Sequence, residues 1–184
     1  MINRRVFLTY MAGLGIPDVR ARLVCVLSAA PAGPAEVIIM RHAEEPAYGP
    51  HLNDRGRARA AALVTLFPDR SAVPTALFAA RSTKKSERSM ETLEPLAAAL
   101  HLKIDGSFGE REYRKLADRI LTNAAHARGH VVICWHRQTI ANLAAALGVR
   151  KPPSWPAGQY DHVWRIRYSA GVATLVDEPE RLLS

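Results

Sequence analysis

Cysteine is scarce in this chain. Cys25 and Cys134 are the only two among 184 residues, and they lie far apart in no metal-ligating spacing. A cysteine-built metal centre is therefore excluded, and Cys134, inside an apolar run, reads as a small buried hydrophobe. No His-x-x-x-His or comparable ligand spacing occurs either, which leaves a metallohydrolase with little support. Aromatic residues make up only 7% and do not alternate with basic ones. The 25 Lys and Arg are scattered among 17 acids, so the net charge of +8 does not form the stripe that nucleic-acid binding calls for. A basic surface suits an anionic substrate equally well. Long apolar runs are missing too: Pro31, Pro34 and Glu36 interrupt the best candidate, and no segment is expected to span a bilayer. No internal repeat is visible.

What remains is a hydrophobic content of 48% in a length that fits one domain plus a short extension. Residues 1–35 read as that extension. "MINRRVFLTYMAGLG" resembles a twin-arginine export signal, and "SAAPAGPAE" offers small residues near a cleavage point, although "PDVRAR" puts charges where an apolar core is expected. The expectation is an export leader, or a disordered extension, followed by a soluble periplasmic or secreted domain over 36–184. A cytoplasmic protein is the alternative. Arg4, Arg5, Arg20 and Arg22 against Asp18 account for +3 of the charge, so the domain alone is still basic.

Along the domain, the β-branched run in "EVIIMRHAE" predicts a buried strand over 36–41. After a proline-rich loop, Asn53 or Asp54 can cap a helix reaching about Phe67, with Ala60, Leu63, Val64 and Phe67 on one side. Pro68, Asp69 and Pro74 break the chain before a second strand in "TALFAA". A helix is expected over 84–100 from the spacing of Leu93, Leu96 and Leu100, with Pro95 kinking or dividing it. A mixed stretch follows Gly106, then a helix from Glu112 to about His126. "HVVICW" is the clearest strand, followed by the helix "QTIANLAAALG" and a closing hairpin that turns at Ala170-Gly171. Alternating strands and helices argue an α/β sandwich with a mostly parallel central sheet flanked by helices. Ligands of such sheets bind at the carboxyl ends of strands, where both "RHAE" and "WHR" fall.

Arg41, His42 and His136 form the chemical core of the sequence. A neutral imidazole can attack phosphorus without a metal, provided an acceptor holds its other ring nitrogen. The charge that phosphoryl transfer spreads over three equatorial oxygens calls for surrounding donors, and the planar fork of arginine suits them. A protonated second histidine would add another.

"VIIMRHAE" resembles the strand and Arg-His-Gly-Glu signature of the histidine phosphatase (phosphoglycerate mutase-like) superfamily. "LNDRGRARA" is similar to its Leu-Thr-x-x-Gly-x-x-Gln-Ala helix start, "ERSMETLEPLA" to its Arg-x-x-Gln-Thr-Ala helix, and "VVICWHRQTIANLAAALG" to its second-histidine strand and helix. The four motifs occur in order over residues 36 to about 150. The resemblance implies a three-layer phosphoglycerate mutase-like sandwich, no cofactor and no metal. It also implies a phosphatase of the short branch that hydrolyses a phosphate monoester through a phosphohistidine on His42. Arg41 and Arg88 would clamp the phosphate, with His136 as the second pocket histidine. Arg81, nearer the strand end in the longer loop "AARSTKKSER", is the fallback for Arg88 or an extra phosphate contact. Glu110 is the candidate general acid, with Glu112 or none as alternatives, and Glu44 is expected to orient or cap. Arg137, where the family has glycine, would bind a second anionic group or face solvent.

Two rivals remain open: a phosphomutase of the same family, disfavoured by the short chain, and a catalytically silent module that binds phosphate or polyanions. Expected partners are a phosphorylated small molecule or a phosphoprotein, with no nucleic acid and no stable membrane association. Specificity is expected from residues 45–52 and 101–115. Trp155, Tyr160 and Trp164 read either as a substrate wall or as packing for a proline-rich turn.

Overall fold

Four parallel strands and one antiparallel hairpin make a single six-stranded sheet in the order β3-β2-β4-β1-β5-β6. The computed structural model describes residues 33–67 and 73–183. Residues 1–32 of the expected leader, Cys25 among them, lie outside the described residues, as do the chain breakers Pro68 and Asp69. The elements run β1 (Glu36–Arg41), α1 (Asp54–Ala62), β2 (Ala76–Ala79), α2 (Arg88–Leu100), β3 (Ile104–Asp105), α3 (Tyr113–Thr122), β4 (His130–Trp135), α4 (Arg137–Ala146), β5 (His162–Ser169) and β6 (Val172–Pro179). No described helix is long and apolar enough to cross a membrane.

β1 lies inside the sheet, parallel to β4 on one side and antiparallel to β5 on the other. That position explains its unbroken apolar run, because both of its faces are covered. Val37 and Ile39 join a core with Ile133, Trp135, Leu116, Ile120 and Leu143, beneath α3 and α4. Ile38 and Met40 point the other way, into a core with Leu93, Leu96 and Cys134 beneath α1 and α2. Each fully buried Val, Ile or Leu contributes about 1.5–3 kcal/mol, so the two cores hold the sheet firmly between its helical layers. This is the expected three-layer sandwich.

Several boundaries differ from the sequence expectation. The first helix keeps α-geometry only to Ala62 and tightens into a 3-10 turn at Leu63–Leu66. α2 begins at Arg88, not at 84, because Thr83 and Ser86 pair across a tight turn whose amides at Lys85 and Ser86 donate to the Thr83 hydroxyl. It then runs through Pro95 as one helix, forgoing the bond to the Glu91 carbonyl. α3 ends at Thr122, because Asn123 turns extended and its side chain accepts from the Ala125 amide to cap a separate 3-10 turn. β3 was not anticipated: two residues are too short for a periodic signal. The hairpin turns at Ala170-Gly171 as expected, with both residues at positive φ, the conformation that matches the twist of the strands.

Candidate active site

The β1–β4 register sets the centre of the site. Arg41 pairs with Trp135, so the next residue on each strand, His42 and His136, emerges side by side at the carboxyl edge of the sheet. The ladder extends one bond further, from the His42 amide to the Trp135 carbonyl at 3.3 Å. The two imidazoles meet edge to face with centroids 5.7 Å apart, and the Tyr160 ring lies 6.2 Å from His42.

His42 is buried, and its Nδ1 lies 2.8 Å from the Ala43 carbonyl oxygen. A carbonyl can only accept, so Nδ1 carries the proton and Nε2 keeps its lone pair. Burial, with help from the Arg41 charge, pushes the imidazole down to about 4 despite the opposing Ala43 bond. The turn after His42 is fixed from two sides. The Ala43 amide donates to the Thr92 hydroxyl of α2 at 3.0 Å, and the Glu44 carbonyl accepts from the Asn53 amide at 3.0 Å. Gly56 in α1 packs directly on the Glu44 backbone, where a Cβ would come within 2.9 Å of the Glu44 nitrogen.

Arg41 is held from behind by the Ala157 carbonyl at 2.6 Å and stacks on Tyr160, its guanidinium carbon 3.8 Å from the ring centroid. Arg88, the first residue of α2, is held by the Gly49 carbonyl at 2.8 Å. Glu45 stands between the two arginines, one carboxylate oxygen 2.8 Å from Arg41 and the other 3.0 Å from Arg88. The Nε of each arginine is buried without a hydrogen-bond partner among the described residues. Two cations, two unpaired buried donors and the first turns of α2 and α4 thus converge, an arrangement built for an anion. Beyond Arg88 lies a cavity of about 360 Å³ lined by Arg81, Lys85, Ser86, Glu110, His136 and Gln138 among others.

The carboxyl end of this sheet can be compared with known proteins. No family model and no curated protein matches the chain by sequence. Solved structures do match. Phosphoglycerate mutase from Bacillus anthracis str. Sterne aligns with a TM-score of 0.58 at 15% identity, over 81% of this chain and 94% of that one. The protein histidine phosphatase SixA complexed with tungstate aligns with a TM-score of 0.54 at 14% identity, over 79% and 97%. A phosphoserine phosphatase variant from Entamoeba histolytica in complex with phosphoserine gives 0.52 at 11%, over 81% and 99%. The chain shares the phosphoglycerate mutase-like fold of these proteins.

In this fold Arg41, His42, Arg88 and His136 come together, and Arg81 lines the cavity that Arg88 and His136 share. Arg81 is exposed at the outer rim of the cavity, where it pairs with the Ser107 carbonyl and with Glu112 at 2.9 Å. Of the two candidate acids, Glu110 lines the cavity beside His136. Glu112 instead accepts from Lys115 and from the Gly109 amide, and these partners with Arg81 hold its carboxyl down at about 2. The sequence offers His136 as a charged donor if protonated. Burial chiefly lowers its pKa below the ordinary histidine value, with the Arg88 charge acting the same way and Glu110 opposing. Arg137 is half-buried at the start of α4 and does not line the cavity, whereas Gln138 does.

Glu44 faces away from the anion site, into a buried cluster in which Arg59 bonds it at 2.7 Å and Glu180 at 3.1 Å. Trp155 and Trp164 are core, their rings tilted against each other with centroids 4.9 Å apart, but the Tyr160 hydroxyl reaches both Arg41 and Glu45. Sequence reasoning missed Glu45. The only signal was a second acid directly after an Arg-His-x-Glu motif. It also missed Ser86, whose buried hydroxyl has no partner among the described residues. Among the described residues, the one group with metal-like spacing is His51, Glu87 and Glu91, which includes neither pocket histidine.

Proposed function

We propose that the chain is a phosphatase of the histidine phosphatase superfamily, hydrolysing phosphate monoesters of small molecules or phosphoproteins through a phosphohistidine on His42 without a metal. The observation that carries this reading is the His42 tautomer. Its Nδ1 proton is committed to the Ala43 carbonyl, and burial keeps the ring neutral, so Nε2 is a nucleophile at and below neutral pH. Nε2 forms the bond to phosphorus as the bond to the ester oxygen breaks. Arg41, Arg88 and His136 donate to the equatorial oxygens. Glu110 delivers a proton to the leaving alkoxide and later takes one from the water that attacks phosphorus and frees His42. The cavity wall formed by the exposed residues Arg81, Thr83, Lys85 and Gln138 gives that water a route, which favours hydrolysis over phosphoryl transfer to a second alcohol.

The test is hydrolysis of p-nitrophenyl phosphate by the full chain with and without EDTA, beside His42→Ala. Activity indifferent to EDTA and lost in the variant supports the reading. Loss to EDTA would replace it with a metallohydrolase, and inactivity with retained phosphate binding would replace it with a binding module.

A further inference from the structure

The pair of arginines that would clamp phosphate is already bridged, and the bridge is a carboxylate. Each oxygen of Glu45 takes a different guanidinium, at 2.8 Å from Arg41 and 3.0 Å from Arg88, and the Tyr160 hydroxyl adds a bond at 3.2 Å. A phosphoryl group would need the same donors. We infer that Glu45 is a resting-state ligand of the phosphate site, which the substrate phosphoryl group displaces as it binds. The inference rests on the reading of Arg41 and Arg88 as the phosphate clamp.

The way the three side chains are anchored says which one yields. Both arginines are fixed from behind by backbone carbonyls, Ala157 for Arg41 and Gly49 for Arg88, and their side chains are only 5% and 14% exposed. Glu45 has no such anchor. Among the described residues its carboxylate bonds only to the two arginines and Tyr160, and its side chain is 29% exposed. Its backbone carbonyl is separately engaged by the Asn53 side chain at 3.2 Å, so the main chain stays while the carboxylate swings to water. A carboxylate left in place beside a phosphoryl dianion would oppose it within contact distance, a repulsion that low dielectric strengthens. Displacement removes that repulsion and frees the guanidinium edge that each arginine turns to Glu45. Glu45 thereby sets affinity and selectivity. Weak monoanions cannot evict it, whereas a dianionic phosphate can.

The test is calorimetric titration of the full chain and of Glu45→Gln with inorganic phosphate. The neutral variant is expected to bind phosphate about tenfold to a hundredfold more tightly, the consequence of removing one competing charge. Equal or weaker binding would mean that Glu45 orients the arginines, and would overturn the inference while leaving the clamp intact. A crystal structure of the unaltered chain soaked in tungstate supplies a second measurement, free of any folding defect in the variant. Glu45 swung clear, with tungstate between the arginines, supports the inference, and Glu45 still bridging them beside bound tungstate overturns it. Failure of both proteins to bind phosphate or tungstate would sink the clamp and the functional reading along with it.

Discussion

The pH dependence of the first chemical step follows from the burial of one imidazole. An exposed histidine titrates near 6.5, whereas burial pushes His42 down to about 4. At about pH 5 an ordinary histidine would be about 3% neutral and His42 about 90%, a difference of about 30-fold in competent nucleophile. Because kcat/KM reports the free enzyme, its acid limb, corrected for ionisation of the substrate, should fall near 4. The assay is a kcat/KM profile with p-nitrophenyl phosphate from neutral pH down to the acid limit of folding. A limb near 6.5 that survives His136→Asn would refute the argument that burial keeps His42 neutral. The same shift has a consequence for stability. The folded value lies below the unfolded one, so the stabilisation is present above about 6.5 and is lost as pH falls towards 4, by up to about 3 kcal/mol. Urea unfolding of His42→Ala should show a shallower decline across that window.

Three further outcomes are expected. Gly56→Ala should cost about 1–3 kcal/mol and lower kcat/KM, since its Cβ has no room against the Glu44 backbone and must push the turn that carries Glu45. An unchanged melting temperature would show that the contact can relax. Burial pushes the Glu180 carboxyl up to about 7, while Arg59 bonds more extensively to Glu44. Its folded value lies above the unfolded one, so the loss of stability grows as pH rises through about 7. Glu180→Gln should therefore be the more stable protein at alkaline pH, by up to about 3 kcal/mol, with no gain in acid. Thermal melts at both extremes decide it, and equal destabilisation at each would contradict it. Glu110→Gln should slow alkyl phosphates far more than p-nitrophenyl phosphate, whose leaving group needs no proton, and an equal loss on both would remove Glu110 as the acid.

The sheet and the convergence at its carboxyl edge were legible because burial on two faces leaves an unmistakable run of Val, Ile and Met in β1 and of Val, Ile and Cys in β4. Residues just beyond such runs, His42 and His136, inherit their placement from the strands. Helix starts were less legible. Thr83–Ser86 has helix-compatible residues, and only the cross-turn bond shows that the helix waits for Arg88. The partner of an acid was not legible at all. Glu44 and Glu45 are adjacent and identical in type, yet one turns inward to Arg59 and the other bridges Arg41 and Arg88. That choice is made by the direction of the backbone after His42, which Thr92, Asn53 and Gly56 impose from distant parts of the chain. Arg81 and Arg88 posed the same difficulty, since nothing in the sequence tells that Arg81 pairs with Glu112 and Arg88 with Glu45.

The one-residue step from the paired Arg41 and Trp135 to the two imidazoles means that main-chain hydrogen bonds, not side-chain fit, set the distance between them. Reactive geometry and substrate choice are therefore inherited separately. The rim, from Glu45 to His51 and from Arg81 to Ser86, can be rewritten by substitution or insertion without moving the imidazoles. If the chain is the phosphatase proposed above, rim changes alone exchange one phosphorylated compound for another, and the reaction is retained while the diet changes.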